Sequence, residues 1–280
     1  MRVICVLLLL SISINLYCRE IIERILEPAI IEVRYEQRQI LDTLNTDNDF
    51  KDDIYTLKVG KTTSAFYSAE LKTIDSLELR HKELMLARYD DNNLFHAVAN
   101  LPRKKVFKNY PEKKIRVHDR FDLCNWVIDE DWEKPIWNIT DSVQNILGYE
   151  CILAYTNYRG RIWEAWFSPE IPFSDGPWKL CGLPGLILKA YDSKGHYNYT
   201  PLTIKTSDVG YVEYYDYDAG NRFKTTRLKG LQQKHKSIHE DIRYLIGAMG
   251  IGGVNNEGYK KRDFIPHSNY DFEETDYPHE

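Results

Sequence analysis

Long apolar runs are scarce in this chain. Beyond Leu16 no stretch approaches the roughly 20 apolar residues that a spanning helix needs, which excludes a multi-span membrane protein. Excess positive charge is missing too. Lys+Arg total 37 against 42 Asp+Glu, a formal net charge of −5, which argues against a dedicated nucleic-acid binder. With 15 Gly and 11 Pro in 280 residues, collagen-like composition is excluded, and coiled-coil character is absent. Catalytic signatures are also lacking. There is no phosphate loop, no Gly-x-Ser-x-Gly elbow and no His-Glu-x-x-His pair. No pair of carboxylates stands out for acid–base work. What is abundant is aromatic surface: 20 Tyr, 10 Phe and 6 Trp, within a hydrophobic share of 43%. That is ample for a packed core, and Tyr and Trp favour strands.

The amino terminus reads as an export signal. Arg2 precedes an apolar run from Val3 to about Leu16, the pattern of a secretory signal peptide over 1–18. Cleavage near Cys18–Arg19 is favoured over acylation of Cys18, because bulky Tyr17 stands where a lipoprotein signal has a small residue. Export places the mature chain in the periplasm or cell envelope, with peripheral membrane association open. It also makes disulfides possible. Cys124, Cys151 and Cys181 remain after cleavage and allow three pairings. Cys151–Cys181 is the favoured bridge, since both lie in the densest motif region, and three buried reduced thiols is the alternative.

Strand patterns are read at 30–35, 54–59 and 64–67. Leu71, Ile74, Leu77, His81 and Leu84 then follow helical spacing, predicting an amphipathic helix over 71–88. A basic stretch from Arg103 to Arg116 is followed by an acidic one from Asp119 to Glu133. Its functional reading is a contact with an anionic surface; its plain reading is complementary hairpin faces. Strands follow at 115–118, 123–128, 136–139, 149–156, 161–167, 186–191, 197–206 and 209–217, separated by Gly and Pro turn signals. Trp163 and Trp166 on opposite faces of one strand predict that it is covered on both sides. A second helix is predicted over 221–247, with Leu231, His235, Ile238 and Ile242 on one stripe. The fold expected is mainly β (α+β): a curved antiparallel sheet or half-open barrel, with the helices at 71–88 and 221–247 packed on it. One domain is expected over 19–254, followed by a polar, loosely attached tail over 255–280.

Residues 181–191 read Cys-Gly-Leu-Pro-Gly-Leu-Ile-Leu-Lys-Ala-Tyr, a tight turn entering an apolar strand. Pro184 presets φ, Gly185 would take the positive φ of a type II turn, and Gly182 would let backbones approach closely. Gly182-Leu183-Pro184-Gly185-Leu186-Ile187 resembles the hexapeptide that names the GLPGLI family of the Bacteroidota. Upstream, Ile146-Leu147-Gly148-Tyr149-Glu150-Cys151 and Tyr158-Arg159-Gly160-Arg161-Ile162-Trp163-Glu164-Ala165-Trp166-Phe167 are similar to further segments of that family, as are Glu170-Ile171-Pro172 and Gly176-Pro177-Trp178-Lys179. The resemblance extends over roughly 54–206. It implies an exported envelope protein and no particular reaction. Arg161, Trp163, Trp166, Trp178, Gly182, Leu183, Pro184 and Gly185 are therefore candidates for a shared binding surface or for core and turn constraints.

Two functions are compatible with these features. The first is a non-enzymatic envelope protein that binds a protein, a peptide or a lipid-like ligand through an apolar concavity. The second is a secreted hydrolase, metal-dependent through His235 and His239, which are four apart on a predicted helix. A packed histidine is the plainer reading of His235, because a metal site needs a third ligand. Asp192, Ser193 and His196 share one turn and cannot form a relay as sequence neighbours. The sequence assigns no catalytic residue, no metal and no cofactor.

Overall fold

A computed structural model describes residues 22–71, 104–121, 124–216, 222–239 and 272–278. It contains strands β1 (Ile22–Pro28), β2 (Ile31–Ile40), β3 (Phe50–Val59), β4 (Ser64–Ser68), β5 (Lys105–Lys108), β6 (Lys114–Phe121) and β7 (Cys124–Asp131). They are followed by β8 (Asn138–Ile146), β9 (Tyr149–Tyr158), β10 (Arg161–Ser168), β11 (Leu186–Asp192), β12 (Tyr197–Lys205), β13 (Tyr211–Asp216) and β14 (Arg222–Thr226), then helix α1 (Arg227–His239).

Alternation builds most of these strands. In β2, Ile31, Val33, Tyr35 and Gln37 are buried, while Arg34 and Arg38 face solvent. Twelve strands join in the order β14-β7-β6-β5-β4-β3-β2-β12-β11-β10-β9-β8, and β1 and β13 form a separate two-stranded ribbon. Every pairing is antiparallel except β14 with β7. The sheet curls, and among the described residues it does not close, with β8 and β14 at its edges. Its inner face carries the main core, with Tyr35, Leu57, Phe66, Val106, Trp163, Trp178 and Tyr199 in one cluster. The β1–β13 ribbon lies on the other face of β4 and β5, where Val212 and Tyr214 pack on Ala65 and Phe107.

Sequence and structure differ at several points. The strand covered on both faces is not β10: Trp163 is buried, but Trp166 is half-buried and Ile162 is exposed. Two-sided burial falls on β4 and β5 instead, under a ribbon that period-two patterning cannot foresee. Strands β1 and β5 had no expectation, β14 falls where the start of a helix was expected, and β8 runs to Ile146 where 136–139 was expected. Of the two packed helices expected, one is present among the described residues. It begins at Arg227 and not at 221, because residues 222–226 pair in parallel with β7. Residues 72–88 of the other lie outside the described residues, as do 240–247. Gly230 lets α1 approach β7 closely: an added Cβ would lie 2.8 Å from Ile128 Cδ1. The export segment also lies outside the described residues. Among the described residues no helix is long and apolar enough to cross a membrane.

Facing charges on β6 and β7 follow the plain reading of the charge-rich hairpin. Register sets Lys114 opposite Asp131 and Arg116 opposite Asp129. Arg116 holds Asp129 in a fork, with Nε–Oδ1 and Nη2–Oδ2 both at 2.7 Å. The same basic stretch also buries Lys105 under the β1–β13 ribbon, against Tyr215, and Lys108 on the inner face.

Candidate functional site

Residues 272–278 lie within the stretch read as a polar tail. In the structure they run between the inner face of the sheet and α1, and Phe272, Glu273, Glu274 and Tyr277 are buried. Composition alone gave no sign of this, since an acidic stretch buries only where cations wait for it.

Those cations come from separate elements. Arg161 opens β10, Arg159 sits in the β9–β10 turn, Lys179 follows the buried Trp178, Lys104 precedes β5, and Arg227 and Lys234 belong to α1. Lys179 Nζ bridges Glu130 of β7 and Glu274, the latter at 2.6 Å. Arg227 bonds both Glu274 and Asp276. Arg159 Nη2 reaches Glu130 at 3.1 Å. Glu273 is read by a different group. Its Oε1 accepts from Tyr199 at 2.6 Å and Gln37 at 3.2 Å, and its Oε2 pairs with Lys104. Main-chain contacts complete the docking. Arg161 Nε donates to the Phe272 carbonyl at 2.9 Å while Nη1 meets Asp192 Oδ2 at 2.8 Å. The Thr275 amide donates to the Arg159 carbonyl at 3.0 Å. His235 packs between aromatic rings, 5.6 Å from Phe272 and 6.2 Å from Tyr277.

Burial and charge oppose each other at these carboxylates. Burial pushes Glu274 up, but Lys179 and Arg227 outweigh it and hold it down at about 2. Asp119 behaves alike: burial raises it, and Lys234 and Lys104 bring it below its ordinary value. Burial, then Glu273, raise Tyr199 well above a free phenol, so its hydroxyl remains a neutral donor. A carboxyl with its pKa held low contributes stability above its unfolded value of 4.5 and loses it as pH falls through about 2. Urea midpoints should therefore fall between about pH 4.5 and 2, and Glu274→Gln should remove part of that dependence. The remainder belongs partly to His118, which burial, with Arg222, Lys105 and Arg116 nearby, keeps neutral well below its ordinary range. Equal acid sensitivity in the two proteins would refute the Glu274 assignment.

The residues singled out in the sequence divide between two tasks. Arg161 is in the cleft and Trp178 lines it. Trp163 is core, 5.3 Å from the Trp178 ring and 6.2 Å from that of Tyr199. Trp166 faces away on the half-buried side of β10. Leu183 is buried and Pro184 exposed. The glycine roles are exchanged relative to the sequence reading. Gly182 takes the positive φ, at 96°, and Gly185 supplies the close approach, where an added Cβ would lie 2.2 Å from the Ser168 carbonyl oxygen. Both glycines of the hexapeptide thus shape its turn. Its loop is anchored by Lys108, whose ammonium meets Asp175 and donates to the Gly176 carbonyl at 2.6 Å.

Cys151 and Cys181 are buried free thiols, not the bridge that was favoured. Cys151 Sγ lies 3.6 Å from its own strand's Tyr149 carbonyl, and burial pushes the thiol up to about 11, with Glu170 adding to it. Burial also raises Cys181. Both fill core space as small apolar groups. Among the described residues no group of three or more His, Cys, Asp or Glu could hold a metal, and His239's side chain lies outside them. Sequence reasoning missed Lys104, Glu130, Lys179, Arg227, Glu273 and Glu274. The one available signal was the pair of aromatics, Phe272 and Tyr277, set in an otherwise acidic stretch.

Residues 156–189 match the family model described as "Protein of unknown function (Porph_ging)". This stretch holds the aromatic run and the hexapeptide on which the GLPGLI resemblance rests, though the model carries another name. No curated protein matches the chain. Solved structures with a similar course include "Structure of PNGF-II in P21 space group", at TM-score 0.46 and 14% identity over 74% of this chain and 33% of that one. "Structure of PNGF-II in C2 space group" gives 0.48 and 14%, over 75% and 33%. The chain thus spans about a third of the length of those proteins. The family match places residues 156–189 beside a domain of unknown function.

Proposed function

We propose that this protein is a non-enzymatic binding module of the cell envelope whose cleft holds an extended polypeptide segment. The observation that carries the reading is Arg161. Its guanidinium is fixed by Asp192, stacks over the Tyr197 ring at 4.8 Å and donates to the main-chain carbonyl of Phe272. A buried arginine reading a peptide carbonyl favours polypeptide over a lipid-like ligand. The carboxylates in the cleft are each paired with a cation, which suits retention and not proton transfer. Export remains part of the proposal and rests on the apolar amino-terminal run.

The test uses the full chain carrying a specific protease site between residues 262 and 263. After cleavage, the released fragment should co-elute with the body at low salt and leave at high salt. The emptied body should then take up a fluorescein-labelled synthetic peptide of residues 268–280, followed by anisotropy. A body that keeps its circular dichroism yet binds no peptide would sink the reading.

A further inference from the structure

Resting on that reading, the geometry points to Phe272–Tyr277 as a tethered occupant that closes the cleft, standing in for a partner polypeptide with an aromatic residue followed by two adjacent acids. Charge is the first support. Among the described residues, the cleft gathers six cations around Asp119, Glu130 and Asp192, with the largely exposed Glu133 on Arg159 at the rim. Glu273, Glu274 and Asp276 bring the matching negative charge. Each of the first two acids has its own reader. Lys104, Tyr199 and Gln37 take Glu273, and Lys179 and Arg227 take Glu274, so the pattern is specific and not a diffuse attraction.

The second support is fit. Phe272 and Tyr277 bracket the acids and are 6% and 5% exposed. At Gly160 an added Cβ would lie 2.3 Å from Thr275 Oγ1 and 2.6 Å from the Asp276 nitrogen, so the segment reaches the turn as closely as glycine allows. The third support is energetic. Buried ion pairs lose in desolvation nearly what they gain in attraction, so the pairs that fix Glu273 and Glu274 add specificity while leaving the segment exchangeable. Covalent linkage to the body gives an effective concentration on the order of 1 mM. If the segment's own affinity is about 10 μM, the cleft is closed about 100 to 1, and an outside peptide binds the intact chain about 100-fold more weakly than the open cleft.

The experiment compares three full-length proteins by anisotropy of the labelled 268–280 peptide: the unaltered chain, Glu273→Gln/Glu274→Gln, and Phe272→Ala/Tyr277→Ala. Both variants change the tethered segment and no side chain of the cleft itself. Each should bind the peptide at least about tenfold more tightly than the unaltered chain. A peptide with both acids changed to Gln should bind at least about tenfold more weakly. Equal binding by all three proteins overturns the closure while leaving peptide binding by the cleaved body standing. Tight binding of the Gln peptide overturns the acidic specificity. Failure of the cleaved body to bind removes both readings.

Discussion

Lys179→Met should lower the free energy of unfolding by about 3 kcal/mol, the low end of what breaking a buried ion pair costs. Lys179 is 2% exposed and is shared by Glu130 and Glu274. Methionine fills similar volume but strands two carboxylates in a site of low dielectric. Arg159 and Arg227 remain beside them, which keeps the loss from the top of the range. Adding Glu274→Gln should recover part of the loss, because the second change removes one of the stranded charges. Urea denaturation of the two single variants and the double variant measures the coupling. A loss below about 0.5 kcal/mol for Lys179→Met would mean that the cluster is solvated and the cleft is not built as described.

Gly185→Ala should destabilise by about 3 kcal/mol, the top of the usual range for overpacking, and lower Tm by roughly 6–12 °C. The new methyl would meet Ser168 carbonyl oxygen at 2.2 Å, Ser168 carbonyl carbon at 2.7 Å and Pro169 Cα at 3.0 Å. All three are backbone atoms, so no side chain can swing aside. The hydrogen bond from Leu186 N to the Ile171 carbonyl, at 3.0 Å, lies in the path of any shift. Gly148→Ala is the control. Its φ is +89° but nothing lies within 4 Å of the added Cβ, so it should cost only about 1–2 kcal/mol of backbone strain. If thermal scans rank Gly148→Ala as the more damaging, the close approach at Gly185 is not what fixes that glycine.

Most strands were legible because their signal is local. Residues 31–40 and 161–168 alternate inside and outside along most of their length, and the turns at 147–148 and 159–160 carry Gly. The β1–β13 ribbon was not legible, since it covers Ala65 and Phe107 from 22–28 and 211–216, far away in sequence. Glycine roles were half legible. The need for glycine at 182 and 185 showed in the motif, but which one takes positive φ and which one touches a neighbour depends on where Ser168 stands. By itself the sequence determined a strand-rich, aromatic-packed chain with a tight turn in the hexapeptide, because periodicity and turn chemistry act between near neighbours. Only the tertiary structure decided that Lys104, Lys179 and Arg227 converge on Glu273 and Glu274, since an ion pair between residues 47 to 169 positions apart leaves no pattern along the chain until the sheet curls and brings them together.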